Sequence, residues 1–139
     1  MFVNIISDTN RRIPRKRILE LMALMEEEED PPDSNVNIVF VNDKQIASLN
    51  KKFRKISKPT DVLSFNLEDK PSRDSIFGEI YISTDTAVRN AEKFGITFRN
   101  EMLRLCCHGF LHLLGYDHEK PKERVIMQER EHYFLGNML

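Results

Sequence analysis

The 139-residue chain has the length of one domain, and its 40% hydrophobic and 31% charged residues exclude disorder over the whole length. A formal net charge of -1 means that total charge does not identify a nucleic-acid-binding protein. The only cysteines, Cys106 and Cys107, are adjacent, so no disulfide framework is expected. The first residues lack an apolar run long enough for a signal peptide or membrane span, and reduced thiols suit the cytoplasm, where we expect the protein to be.

The first half of the chain predicts alternating strands and helices. An opening strand at residues 2–6 precedes a helix that begins near Pro14 and carries an apolar stripe of Ile18, Leu19, Leu21, Met22 and Leu24. The acidic run at residues 26–30 is predicted to be its solvated end, followed by two prolines. A strand at residues 36–41 then leads into a helix capped by Asn42 or Asp43, with one side made of Ile46, Ala47, Leu49 and Phe53.

The second half predicts two more strands and three helices. The strands are expected at residues 61–65 and 80–82, with an exposed, charge-rich loop at 68–76 between them. Ser83 begins a helix-start signal, and helices are predicted at residues 85–94, 98–114 and 121–135. The fold class is therefore α/β or α+β: a small mixed sheet covered by helices, in a single domain over residues 1–139.

Three of the four histidines have the spacing of a metal site. His108 and His112 lie four residues apart and share one face of a helix, while a left-handed conformation at Gly115 would turn the chain back to deliver His118. Three neutral imidazoles with an open fourth position are the usual ligands of catalytic zinc. Because random placement of four histidines gives this triple on the order of 0.1% of the time, metal ligation is favoured over hydrogen bonding within the core.

The helix that carries these histidines is predicted to be buried. Residues 102–114 are apolar nearly all round, and the exceptions, Arg104, His108 and His112, form one row at helical spacing. Gly109 in mid-helix costs ~1 kcal/mol relative to alanine, which predicts the close approach of another element. For Arg104 we expect a structural pairing with Glu101 rather than a contact with phosphate.

The same spacing occurs in one class of metalloproteases. Their H-E-x-x-H-x-x-G-x-x-H motif has histidines and a glycine at these offsets, and the glutamate after the first histidine is the general base. In this chain that position is Gly109. General-base catalysis contributes typically about 10²–10⁴-fold, so a peptidase is disfavoured and remains an alternative.

Taken together, the motifs resemble the YbeY family of bacterial endoribonucleases that act in ribosomal RNA maturation. Leu-Asn-Lys-Lys-Phe-Arg at 49–54, Pro-Thr-Asp-Val-Leu-Ser-Phe at 59–65, Gly-Glu-Ile-Tyr-Ile-Ser at 78–83 and the histidine segment occur in the family's order. Asn66 stands where proline is common and Glu79 where aspartate is common, and neither is a presumed ligand. The resemblance implies metal ligation by His108, His112 and His118, and a functionally important arginine at Arg54.

The resemblance also implies a function. We expect a single-strand-specific, metal-dependent endoribonuclease with one Zn²⁺ per chain, acting in maturation of the 3′ end of 16S ribosomal RNA and in ribosome quality control. Its partners would be ribosomal RNA and the ribosomal subunit or assembly proteins, and no membrane. The metal would lower the pKa of water toward ~7 and polarise a phosphoryl oxygen, while Arg54 holds phosphate. The alternatives are the metallopeptidase and a non-catalytic RNA-binding ribosome-assembly factor with a structural metal.

Two basic segments could contact phosphate. For Lys51, Lys52 and Lys55, phosphate binding and an ordinary helix-end role are equally open, whereas for Arg54 the resemblance favours phosphate. For the other segment we expect a structural role; it comprises Arg11, Arg12, Arg15, Lys16 and Arg17.

Two further polar residues need a role. Asp117 precedes His118 and could orient a histidine or accept a proton from the metal water, or it could be a turn residue; both interpretations stay open. His132 lies outside the triple and is expected at the surface.

Overall fold

A computed structural model describes residues 1–68 and 73–138. In chain order the elements are β1 (Phe2–Ser7), α1 (Arg15–Glu29), β2 (Asn35–Val41), α2 (Asp43–Arg54), β3 (Val62–Asn66), β4 (Ile76–Ser83), α3 (Thr84–Phe94), α4 (Phe98–Leu113) and α5 (Pro121–Gly136). Every predicted element is present, and the largest shift is in β4, which begins four residues before the predicted strand. Of the predicted loop at 68–76, residues 69–72 lie outside the described residues.

The four strands form one mixed sheet in the order β1-β2-β4-β3. β1, β2 and β4 are parallel, as expected where helices connect successive strands, and β3 runs antiparallel to β4. This arrangement confirms the predicted fold class. It also leaves β3 at one edge of the sheet, beside the segment that follows α2.

Alternating residues divide the sheet into two faces. Ile80 and Ile82 of β4 belong to the main core with buried residues of α1, α4 and α5, whereas Tyr81 packs with a smaller cluster around Ile46 of α2. The stripe predicted for α1 is wrong at Leu19, which is 46% exposed.

Two close contacts seat α4 against β3 and β4. A Cβ added at Gly109 would lie 2.7 Å from Ile80 Cγ2, and one added at Gly78 would lie 2.6 Å from Leu113 Cδ1. The Ser64 hydroxyl also donates to the Gly109 carbonyl at 2.9 Å. The predicted close approach at Gly109 is therefore confirmed, and it brings the histidine end of α4 next to β3.

The acidic end of α1 is less solvated than predicted. Glu29 accepts hydrogen bonds from the Tyr116 hydroxyl at 3.0 Å and from Arg130 Nε at 2.9 Å, and its side chain is only 13% exposed. Glu26 pairs with the amino group of Met1 at 3.2 Å. These contacts tie the end of α1 to α5 and to the loop between α4 and α5.

The two cysteines are buried and free, as predicted. Within residues 1–68 and 73–138, none of the helices combines the length and apolarity needed to cross a membrane.

Candidate metal centre

The three predicted ligands come together at the C-terminal end of α4. His108 and His112 project from neighbouring turns, and the helix ends at Leu113. Gly115 then adopts a positive φ of 101°, and the chain returns with His118. His112 Nε2 lies 3.2 Å from His108 Nε2 and 2.9 Å from His118 Nδ1. One nitrogen from each ring can be chosen so that all lie within 4.8 Å of one another.

This donor set fits a tetrahedral metal ion. Two nitrogens that each lie 2.0–2.1 Å from one tetrahedral zinc are roughly 3.3 Å apart, close to the two separations that His112 Nε2 makes with its neighbours. Burial, followed by the neighbouring His108 and His118, holds the pKa of His112 below its ordinary value. A neutral imidazole is the form that binds a metal, so the surroundings of His112 favour ligation.

Glu131 of α5 orients the first histidine. Its Oε1 accepts from Nδ1 of His108, which leaves Nε2 of that ring directed at the other two imidazoles. A carboxylate behind a ligating histidine fixes its tautomer and ring orientation. Sequence reasoning missed this residue, although one signal was available: Glu131 shares a face of α5 with the buried Met127 and Phe134, an unusual place for a carboxylate.

Asp117 organises the loop that carries His118. Its Oδ1 accepts from the backbone N–H of His118 at 2.6 Å and of Glu119 at 3.2 Å, and these bonds lower the pKa of the Asp117 carboxyl. Arg124 Nε donates to the His118 carbonyl at 3.0 Å. Of the two interpretations left open by the sequence, these contacts favour the turn residue.

A cleft opens between the histidines and the end of α2. β3 at the sheet edge borders it, and Arg54, the last residue of α2, lines it together with the three histidines. The complete lining is Arg54, Thr60, Asp61, Val62, Leu63, Ser64, Phe65, His108, His112, Gly115, Tyr116, Asp117, His118 and Glu119. The segment 59–65, singled out for its resemblance, therefore borders the cleft along almost its whole length.

Arg54 is exposed, and no ion pair joins it to a carboxylate of residues 1–68 or 73–138. Arg104 differs. Its Nε and Nη2 donate to the fully buried Glu101 at 2.6 and 2.8 Å, which confirms the predicted pairing and raises the pKa of Arg104. His132 is exposed, as predicted, and lies outside the cleft.

The basic segment at residues 11–17 does not line this cleft. It borders a separate groove beside Phe98 and Arg99, at the opposite end of α4 from the histidines. Several of its side chains have protein partners: Arg11 pairs with Asp85 at 3.1 Å, and Arg17 pairs with Glu20 at 2.7 Å. These contacts agree with the structural role expected for this segment.

Comparisons with known proteins cover nearly the whole chain. A family model described as endoribonuclease YbeY matches residues 5–138. A protein of Desulforamulus reducens named endoribonuclease YbeY is 43% identical over 120 residues, covering 82% of this chain and 78% of its own. A protein of Lachnoclostridium phytofermentans with the same name is 34% identical over 150 residues, covering 94% and 90%. A solution structure from Thermotoga maritima has a TM-score of 0.68 at 32% identity and covers 99% and 89% of the two chains.

Proposed function

The chain belongs to the YbeY family, and from this premise we propose that it is a metal-dependent endoribonuclease that cleaves single-stranded RNA in the maturation of ribosomal RNA. One observation carries the proposal: the cleft is lined by the three histidines and by Arg54, which pairs with no carboxylate of residues 1–68 or 73–138. The clustered imidazole nitrogens can bind a metal ion, and the exposed Arg54 guanidinium can bind a phosphate.

His108, His112 and His118 would hold the ion, which we propose to be zinc because three imidazoles with an open position suit it. When bound, it supplies Lewis-acid chemistry, polarising a phosphoryl oxygen and lowering the pKa of a water molecule. Arg54 would bind the phosphate through two parallel hydrogen bonds and stabilise the negative charge that develops there during cleavage.

The surroundings of Gly109 support a nuclease over a peptidase. A peptidase of the related motif needs a glutamate directly after the first ligand. At Gly109 the added Cβ would lie 2.7 Å from Ile80 Cγ2 and 3.1 Å from Ser64 Oγ, so a longer side chain does not fit without moving β3 or β4. Packing against the sheet therefore favours glycine at this position and disfavours the glutamate that acts as base in peptidases of this motif.

The proposal is tested with three substrates in parallel: a single-stranded RNA, the same RNA in a duplex and an unfolded peptide. We expect metal-loaded protein to cleave the single-stranded RNA, to act far more slowly on the duplex and to leave the peptide intact. A chelator should stop cleavage, and added Zn²⁺ should restore it.

Each alternative gives a different result in this assay. Peptide hydrolysis with RNA left intact would establish the metallopeptidase. RNA that is bound but never cleaved by fully metal-loaded protein would establish a binding factor with a structural metal. RNA cleavage that persists without metal would overturn the assignment of the histidines.

A further inference from the structure

Phe53 lies in an unexpected environment at the end of α2. Helical spacing predicts it on the same side as the buried Ile46, yet it is 54% exposed. Its ring packs on Phe65, with 4.9 Å between the ring centroids, and Phe65 in turn lines the cleft. Full burial of a phenylalanine side chain contributes roughly 1.5–3 kcal/mol to stability. Because about half of the Phe53 ring is exposed to water, part of this contribution is lost.

The charges around this ring indicate what would cover it. Lys52 Nζ lies 5.2 Å from the Phe53 ring centroid, and Arg54 follows directly. Five exposed cations surround Phe53 in the chain, and none forms an ion pair within residues 1–68 and 73–138: Lys51, Lys52, Arg54, Lys55 and Lys58. Aromatic faces among free cations are the means by which proteins bind single-stranded nucleic acid, because the rings stack on bases while the cations follow the phosphates.

The segment is also held in place. Lys55 closes α2 in a left-handed conformation, and its N–H donates to the Asn50 and Lys51 carbonyls. The buried Asn50 side chain donates from Nδ2 to the Lys58 carbonyl at 2.9 Å. Phe53 is thus presented by an anchored turn, which lowers the entropy cost of binding a base.

We propose that Phe53, backed by Phe65, is a stacking subsite for one unpaired base of the RNA, adjacent to the phosphate bound by Arg54. This inference rests on the proposed function and deepens it. A base in a duplex is already stacked on both faces and cannot offer one to Phe53, so the subsite selects single strands. It selects them with little regard to sequence, because every base has an aromatic face.

The test combines the substitution Phe53→Ala in the protein with the loss of one base in the RNA substrate. Cleavage is measured as kcat/KM for wild type and Phe53→Ala on a single-stranded oligoribonucleotide, and on copies with one abasic nucleotide placed at successive positions around the cleavage site. Base stacking contributes about 1–3 kcal/mol, so Phe53→Ala should lower kcat/KM by roughly 5- to 150-fold, mainly through KM. At one position the abasic nucleotide should lower the kcat/KM of wild type by a similar factor. At that position it should lower the kcat/KM of Phe53→Ala hardly at all.

Matched variants separate stacking from packing. Phe53→Tyr should stay within about twofold of wild type, whereas Phe53→Leu, which keeps apolar bulk without an aromatic face, should resemble Phe53→Ala. The control is Phe94→Ala, since Phe94 is also 54% exposed with a lysine 5.8 Å from its ring centroid. Within residues 1–68 and 73–138 it packs on no ring that lines the cleft, whereas Phe53 packs on Phe65. The kcat/KM of Phe94→Ala should not change, and all variants should retain the metal content of wild type.

The subsite and the nuclease assignment fail in different ways. If wild type cleaves RNA and Phe53→Ala is equally active, the subsite alone is overturned. The same holds if the losses caused by Phe53→Ala and by the abasic nucleotide multiply at every position of the substrate. Full activity in Phe53→Leu also overturns it and indicates that an apolar surface, rather than a base, covers the ring. Wild type that leaves RNA intact overturns both proposals.

Discussion

The two sides of the cleft are built differently. On one side lies the histidine wall (His108, His112, His118 and Glu131), where His108 is held by a carboxylate and the backbone at His118 by Asp117 and Arg124. On the other side Arg54 lines the cleft, and it belongs to the basic wall (Lys51, Lys52, Phe53, Arg54 and Lys55) at the end of α2. The cations of this wall pair with no carboxylate of residues 1–68 or 73–138.

The difference follows from what each wall would bind. A metal ion needs ligands fixed in position before it arrives, and protein contacts supply that order. A phosphate needs cations that are not already neutralised, and solvent exposure leaves them free. Changes in the histidine wall should therefore alter metal affinity, and changes in the basic wall should alter RNA cleavage or binding at constant metal content.

The largest effect is expected at the ligands. Purified protein should carry close to one divalent ion per chain, and His112→Ala should lower metal affinity by more than about 1,000-fold, beyond the ~10–100-fold typical of outer-shell changes. Metal content after dialysis against a graded chelator measures this. His132→Ala, which changes a histidine outside the cleft, is the control and should keep its metal. Full metal occupancy in His112→Ala would show that the metal site is assigned to the wrong residues.

Arg54→Ala should come next in size. Loss of a group that stabilises developing charge costs about 10²–10³-fold in rate. Metal content and melting temperature should stay at wild-type values, because the side chain is exposed and forms no ion pair with the described residues 1–68 and 73–138. Arg54→Lys should recover only part of the activity, since lysine keeps the charge and loses the fork. An Arg54→Ala protein that loses metal or unfolds would instead show a structural role.

Glu131→Gln tests the contact between Glu131 and His108 in the histidine wall. We expect zinc affinity to fall by roughly 10–100-fold, because an amide holds the His108 ring less firmly and makes it a poorer donor. Competition with a zinc-binding dye measures the affinity, and nitrogen NMR of the apo protein reports the His108 tautomer. The control is Glu129→Gln on the same helix. Unchanged zinc affinity with an unchanged tautomer would show that the contact has no part in metal binding.

A contact between two residues could be predicted from the sequence only when the two lie close together along the chain. The histidine triple was predictable because helical spacing alone directs His108 and His112 to one point. The contact of Glu131 with His108 requires α5 to dock on α4, and the pairing of Glu29 with Arg130 joins residues 101 positions apart. Neither leaves a local pattern that specifies the partner.

Phe53 shows a second limit. Periodicity correctly placed it on the side of Ile46, but periodicity gives a direction and not the extent of the neighbouring sheet. Only the arrangement of β3 and α2 reveals that the last turn of α2 reaches the rim of the cleft. In the same way, the sequence resemblance singled out Arg54, whereas its place in the same cleft as the histidines is a property of the fold.

The smallest effect decides the role of the lysines, for which the sequence left two interpretations open. If Lys51 and Lys52 contact phosphates, the double variant Lys51→Ala/Lys52→Ala should bind single-stranded RNA more weakly. The slope of log affinity against log salt should also become shallower by roughly 0.7 for each phosphate that the variant no longer neutralises.

The matched control is Arg12→Ala/Lys16→Ala, which removes two exposed cations from the groove at the other end of α4. Its salt slope should equal that of wild type. Melting temperatures give an independent check: cations in the last turn of α2 favour its dipole, whereas Lys16 lies in the first turn of α1, where a cation is unfavourable by about 0.3–1 kcal/mol. Removing Lys51 and Lys52 should therefore lower stability slightly, and removing Lys16 should not. A lowered melting temperature with an unchanged salt slope in Lys51→Ala/Lys52→Ala would assign these lysines to the helix end and leave Arg54 as the phosphate contact of the basic wall.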